Sequence, residues 1–359
     1  MAEMDLVENA MCSPTSELFE IRAIPNAGRG VIAIRDIPVG TLLLESGPPA
    51  THVIFKDYRK ETCAYCFQWD RGRTLPVREH ELGKYFCSFG CQERWTEEQG
   101  GIGVESWRIV TAFGSRHAKR RPSEDQVMSD AIRSGPTKEE IASAWAIATE
   151  QAKLLLRGRT AASLSKQERK QLQALRQDLA QSMDTDLLGY LLEGALLCHQ
   201  RPSKWRQEVL SLAMDDTPYK TKQDLDSNCK AFLQLTSILP EIILPTLTAE
   251  LCLALVQADN HNAFGIRGGG EDSEEYMGYG VYPSASYFNH SCDPNIGKQR
   301  KGRSWEFHAL RDISPGEECC ITYLGGDERD MDVLERVHRL RDVWDFVCVC
   351  PRCKADAGI

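Results

Sequence analysis

The sequence predicts an α+β protein: small β-sheets split by a cysteine-rich insert and a helical insert, followed by a cysteine-rich tail. Three observations lead there. Segments rich in β-branched and apolar residues cluster at 18–55 and again after residue 264. Helical periodicity dominates between about 104 and 257, and seven of the fourteen cysteines crowd into 63–91 and 348–353. Strands at both ends of a chain with helices between them are expected to pair across the middle.

The elements follow in order. "LFEIRAI" and "GVIAI" are strands separated by the turn-rich "PNAGRG", and "DIPVGTLLLE" turns through Pro-Val-Gly into another strand. Residues 57–95 break this pattern with Cys, Trp and charge and form a small inserted module. "TKEEIASAWAIATEQAKLLL" is an amphipathic helix, with Thr137 as its cap and Glu140 three residues on. "SKQERKQLQALRQDLAQ" is a second and "LTAELCLALVQADNHNAF" a third, mostly buried. Between the insert and these helices, 115–137 is expected to be a loop. It carries the basic run Arg116 to Arg121, a solvated face or a contact for an acidic partner or localisation receptor. After residue 264, "GYGVYPSASYF", "WEFHAL" and "CCITYL" return to strand.

Composition narrows the class. At 359 residues the chain can bury a sizeable core over two or three subdomains, and 42% hydrophobic with 26% charged residues is ordinary for a globular protein. A net charge of −9 argues against a nucleic-acid binder, whose affinity rests on excess Lys and Arg. The N-terminus has neither a basic nor an apolar segment of a secretory signal, and no stretch has the apolar length of a membrane span. In a reducing compartment, clustered cysteines hold metal more often than disulfides.

Cys63-x2-Cys66 and Cys87-x3-Cys91 supply four soft ligands in two close pairs, the second spaced for one face of a helix start. Four thiolates make a closed, structural zinc site, and a small Trp- and Arg-rich insert needs such a cross-link to fold. A redox role for "CAYC" would leave the second pair unexplained. Cys348, Cys350 and Cys353 give three more ligands, one short of a tetrahedron, and Cys292 of "FNHSCDPN" is the candidate fourth. The neighbouring His290 raises the alternative of a cysteine nucleophile, but the sequence offers no oxyanion hole or further base for one.

"GRGV" (28–31), "NHSCDPN" (289–295), "GEECCITY" (316–323) and "CVCPRC" (348–353) together resemble a SET-domain protein methyltransferase, in that family's order. The cysteine insert between the first strands, and "HNAFGI" (261–266), narrow the resemblance to the SMYD group, in which a MYND-type zinc finger interrupts the SET domain. It covers about residues 17–354. On this reading 17–56 and 260–324 are the two parts of the SET domain, 57–99 a MYND-like finger, 100–259 a helical linker and insert, and 325–359 the post-SET tail. The finger departs from the group's pattern: four of eight ligands remain, matching one zinc site of two, so partner-peptide binding does not carry over. The residues after Cys353 offer no counterpart of the helical C-terminal domain of larger members, and Trp344 stands where the family commonly has Tyr.

The resemblance implies transfer of a methyl group from S-adenosylmethionine to a lysine of a histone or another protein. It assigns Gly28, Arg29, Gly30, Asn262, Asn289, His290 and Phe346 to the cofactor, Arg29 to its carboxylate and Phe346 to its adenine. Tyr323 is the catalytic candidate, and Tyr282 and Tyr287 are candidates to line the lysine channel. Two zinc ions are expected, at Cys63/Cys66/Cys87/Cys91 and Cys292/Cys348/Cys350/Cys353. The protein is expected to be a monomer in nucleus or cytoplasm, without direct contact to nucleic acid or membrane. The alternative is a catalytically silent scaffold that binds protein partners.

Overall fold

The computed structural model describes residues 14–25, 27–117, 135–160, 163–268 and 275–358. Strands β1 (Phe19–Ile24), β2 (Gly28–Ala33), β3 (Leu42–Glu45) and β4 (Thr51–Ile54) precede the inserts. A hairpin of β5 (Val77–Glu79) and β6 (Lys84–Phe86) lies within the first insert. Strands β7 (Ala263–Arg267), β8 (Tyr276–Val281), β9 (Ile296–Lys301), β10 (Ser304–Ala309) and β11 (Glu318–Cys319) follow the helices. Three sheets of three strands result, ordered β1-β2-β11, β3-β10-β9 and β4-β8-β7. Each joins early and late strands, two early to one late in the first sheet and one early to two late in the others, as the strand blocks at the two ends predict. Strand β10 shows why: Trp305, Phe307 and Ala309 alternate inward with period two and need the early strands to cover them.

Helix α1 (Phe89–His117) runs out of the cysteine insert and breaks at Gly100, whose φ of 63° a residue with a Cβ rarely adopts. Helices α2 (Lys138–Arg157) and α3 (Lys166–Leu179) begin with reciprocal capping boxes, Thr137 with Glu140 and Ser165 with Glu168. They are followed by α4 (Thr185–Gln200), α5 (Pro202–Glu208), α6 (Lys222–Ile238) and α7 (Ala249–Asn262). The nearly all-apolar α4 is the centre of the helical layer and docks on β4, where Thr51 Oγ1 donates to the Tyr190 carbonyl at 2.7 Å. The tail contains α8 (Val333–Trp344) and α9 (Pro351–Ala357).

Two large cores result. One joins the cysteine insert, the helices and β4; the other fills the sheets around Phe19, Val31, Phe288 and Phe307. A third, small one surrounds Cys292, Leu340, Cys348 and Cys353 in the tail. The β5–β6 hairpin and α8 were not legible as elements, because charged residues interrupt the apolar pattern in both. Of the basic run, Arg116 and His117 end α1, and residues 118–121 lie outside the described residues. Among the described residues no helix is long and apolar enough to cross a membrane.

Candidate active site and metal centres

The loop 288–295 lies alongside the segment 318–323 in parallel. Ser291 N donates to the Ile321 carbonyl at 2.8 Å, and Ile321 N to the Asn289 carbonyl at 2.9 Å. Asn295, 4% exposed, locks the crossing: its Oδ1 accepts from Cys320 N at 2.7 Å and its Nδ2 donates to the Glu318 carbonyl at 2.8 Å. This crossing brings "NHSCDPN" and "GEECCITY", far apart along the chain, onto one spot.

The turn of β1 into β2 meets that spot. Asn289 Nδ2 donates to the Arg29 carbonyl at 3.1 Å and to Glu318 Oε1 at 2.8 Å. Gly30 has no room for a side chain. A Cβ there would lie 2.7 Å from Glu318 Oε1 and Ile24 Cγ1 and 2.8 Å from Asn289 Nδ2. Its glycine is thus required for closure of the Asn289–Glu318 pair over β2. Gly28, by contrast, has φ of 73° and open space around its Cβ position. Arg29 reaches the helical insert, where its Nη2 donates to the Ser211 carbonyl; its Nη1 is buried without a partner among the described residues. Asn262 is 2% exposed and its Nδ2 donates to the Ala213 and Ala258 carbonyls, both at 2.8 Å. It holds the end of α7 to the same segment, 211–213, that receives Arg29.

His290 Nδ1 sits 3.0 Å from the backbone nitrogen of Tyr323. A backbone N–H can only donate, so Nδ1 is the acceptor and the ring proton is on Nε2, which faces Cys292 Sγ at 3.2 Å. The Tyr323 hydroxyl donates to the Phe288 carbonyl at 3.0 Å. Burial pushes this phenol well above its usual range, so it stays protonated at neutral pH. Three rings surround Tyr323, with centroids at 5.3 Å for His290, 5.5 Å for Trp344 and 6.2 Å for Phe346.

Four sulfurs converge at each cysteine cluster. Those of Cys63, Cys66, Cys87 and Cys91 all lie within 4.8 Å of one another, as do those of Cys292, Cys348, Cys350 and Cys353. In the first, Cys66 and Cys87 are 3.6 Å apart and Cys87 and Cys91 3.5 Å; in the second, Cys292 lies 3.5 Å from Cys353 and 3.9 Å from Cys348. Metal–sulfur bonds of about 2.3 Å in a tetrahedron place sulfurs about 3.8 Å apart, whereas a disulfide needs about 2.05 Å. Both donor sets therefore fit a tetrahedral ion. Their charges fit one too. Hydrogen bonding from Cys66 draws the Cys63 thiol down to about 5, and bonding from Cys348 draws Cys292 down to about 3. Burial pushes Cys87 and Cys353 up to about 11, so without a cation the crowded thiolates oppose one another. The Cys63–Cys66 knuckle holds Phe67 at φ of 60°, and its buried side chain sits under the finger.

The structure thus gathers Arg29, Gly30, Asn289, His290, Tyr323 and Phe346 around the crossing, with Asn262 behind them and Gly28 at the turn's edge. Sequence reasoning left Glu318, Asn295 and the Ser211 carbonyl without roles. The first two lie inside the quoted motifs, and no local signal marks Ser211.

Residues 28–324 match the family described as SET domain. The chain is 28% identical to the potential protein lysine methyltransferase SET6 of Saccharomyces cerevisiae, over 95% of this chain and 96% of that one. It is 45% identical to human histone-lysine N-methyltransferase SMYD3 over 78 residues, 22% of this chain and 18% of the relative. With human protein-lysine N-trimethyltransferase SMYD5 it shares 42% identity over 82 residues, 22% of this chain and 20% of the relative. It therefore spans nearly the whole yeast relative but about a fifth of each human one.

Proposed function

Because the chain belongs to the SET-domain family, we propose that the crossing around Tyr323 is the active site of a protein-lysine methyltransferase that uses S-adenosylmethionine. The observation that carries this is the pairing of a protonated, half-buried Tyr323 with the Asn289–Arg29 face across one loop crossing. When bound, the cofactor supplies an electrophilic methyl group on a sulfonium. The protein's part is to bind, orient and exclude water, since in-line displacement needs no covalent enzyme intermediate.

Fit for the cofactor's amino-acid end rests on the buried, unpartnered Nη1 of Arg29, a cationic donor with no acceptor of its own. Asn289 is held by Glu318 and the β2 backbone, which leaves its Oδ1 available to a donor. The Phe346 ring offers a face to adenine. Tyr323 acts as an orienting group and not as a base. Its O–H donates a hydrogen bond to the Phe288 carbonyl, which leaves its oxygen lone pairs for the incoming amine. That amine must arrive neutral, although a free lysine holds its proton to about pH 10.4; desolvation and the cofactor's positive sulfonium would favour the neutral form. The acceptor is a lysine of a histone or another protein. Each four-cysteine cluster holds a structural zinc, one pinning the finger to α1 and one pinning the tail to the 288–295 loop.

The test pairs isothermal titration of S-adenosylmethionine with tritium transfer to proteins of a cell extract, wild type beside Tyr323→Phe. Binding by both and transfer by wild type alone is expected. Binding without transfer by either protein would overturn the enzymatic reading in favour of a silent scaffold.

A further inference from the structure

We propose that Tyr287 is a cofactor-binding residue, whose hydroxyl joins Arg29 Nη1 in a two-point anchor for the carboxylate of S-adenosylmethionine. This inference rests on the methyltransferase reading above and assigns a residue that the family resemblance had placed, if anywhere, in the lysine channel.

Tyr287 ends a 3-10 turn, Ala285–Tyr287, two residues before Asn289. It is 4% exposed, and its hydroxyl is buried with no partner among the described residues. The Arg29 guanidinium carbon lies 4.9 Å from the centroid of its ring. One arm of that guanidinium is spent on the Ser211 carbonyl, and the other, Nη1, is also buried without a partner among the described residues. Two neighbouring buried donors, one of them cationic, are left without an acceptor at a place where three elements meet. Those elements are the β1–β2 turn, the helical insert and the segment leading into Asn289.

Native structures rarely leave such groups unpaired, and a pair of them marks a missing partner. The chemistry of that partner is set by the pair. A carboxylate offers two oxygens with about four acceptor sites and a negative charge, which suits one guanidinium arm and one hydroxyl together. The amino-acid end of the cofactor carries one such group. The same contact argues against Tyr287 as a channel wall: a fixed guanidinium on its ring would repel a substrate ammonium entering there. The ring's further task is to hold the guanidinium flat, so that Nη1 is aimed before the ligand arrives.

Tyr287→Phe keeps the ring under Arg29 and deletes only the hydroxyl. Isothermal titration of the zinc-loaded full chain with S-adenosylhomocysteine, which retains the carboxylate, is expected to show affinity weakened about tenfold, equivalent to about 1.4 kcal/mol. The ligand-free melting temperature is expected to hold or rise, because the deleted hydroxyl has no partner in the free protein. Unchanged affinity would overturn the assignment. So would a melting temperature lowered by several degrees, which would give the hydroxyl a structural partner instead. Arg29→Met is expected to weaken binding at least as much. Wild-type protein that binds neither S-adenosylmethionine nor S-adenosylhomocysteine would sink the methyltransferase reading itself, a result separate from any difference between the variants.

Discussion

His290 joins Tyr323, the proposed catalytic residue, to Cys292, a proposed zinc ligand, through the two nitrogens of one ring, and each nitrogen can be tested separately. His290→Phe keeps a ring of similar shape but removes both partners. The Tyr323 N–H, accepted at 3.0 Å by Nδ1, would then be buried unpaired, at a cost of about 1–3 kcal/mol. The donor 3.2 Å from Cys292 Sγ would go as well, and a hydrogen bond to a charged group is worth about 1.5–3 kcal/mol. The two losses share one side chain and are not strictly additive, so a total of about 2–5 kcal/mol is expected. His290→Asn places an amide oxygen near the position of Nδ1 and restores the first contact alone, so it should lose less. Urea unfolding of the zinc-loaded protein, read as a midpoint shift at constant slope, measures both variants. Zinc release to a chelator should quicken in both, since both lose the donor to Cys292. If His290→Phe matched wild type in midpoint and zinc release, or if the Asn and Phe variants had the same midpoint, the two-sided role of this ring would be refuted.

Gly30→Ala would drive a methyl group into the Asn289–Glu318 pair, at 2.7–2.8 Å. It should cost about 1–3 kcal/mol of stability and weaken S-adenosylmethionine binding, and a wild-type titration curve would contradict that. Atomic absorption should find two zinc ions per chain, falling to one in Cys292→Ser with the finger site retained; one or none in wild type would disprove the two-site assignment. Lys84, with Nζ 3.2 Å from the Trp107 ring centroid, is lowered by burial from 10.5 to about 7. Between those values the unfolded chain binds a proton that the folded one has released, so this group makes stability rise with pH from about 7 to 10.5. Lys84→Met should flatten that rise in melting temperature, and an unaltered pH profile would refute it.

How much of this was legible depended on how local the cause was. Helix α2 begins where Thr137 and Glu140 say it should, because a capping box is complete within four residues. The paired strand blocks followed from composition alone, since short half-buried strands need partners. The finger ligands were legible because metal binding fixes spacing within each close pair. The β5–β6 hairpin was not, because the apolar residues that cover its charged strands lie outside it, on α1 and on the distant α4. Glu318 was visible as a letter in a motif, but its hold on Asn289 exists only after β11 pairs with β2.

By itself, the sequence determined the α+β class, the division by two inserts, the eight cysteines and the motif residues that mark the family. These depend on periodicity, local spacing and residue chemistry, which survive in one dimension. Only the tertiary structure decided which groups each motif residue touches. The crossing of 288–295 with 318–323 turned the His290 ring toward Cys292 and the Tyr323 backbone. It placed Arg29 over Tyr287 and made Gly30 a matter of room for Glu318. Those outcomes come from contacts between residues up to 288 positions apart in sequence, as between Gly30 and Glu318. Hydrogen-bond direction and close packing are set where such residues meet, and no spacing along the chain encodes them.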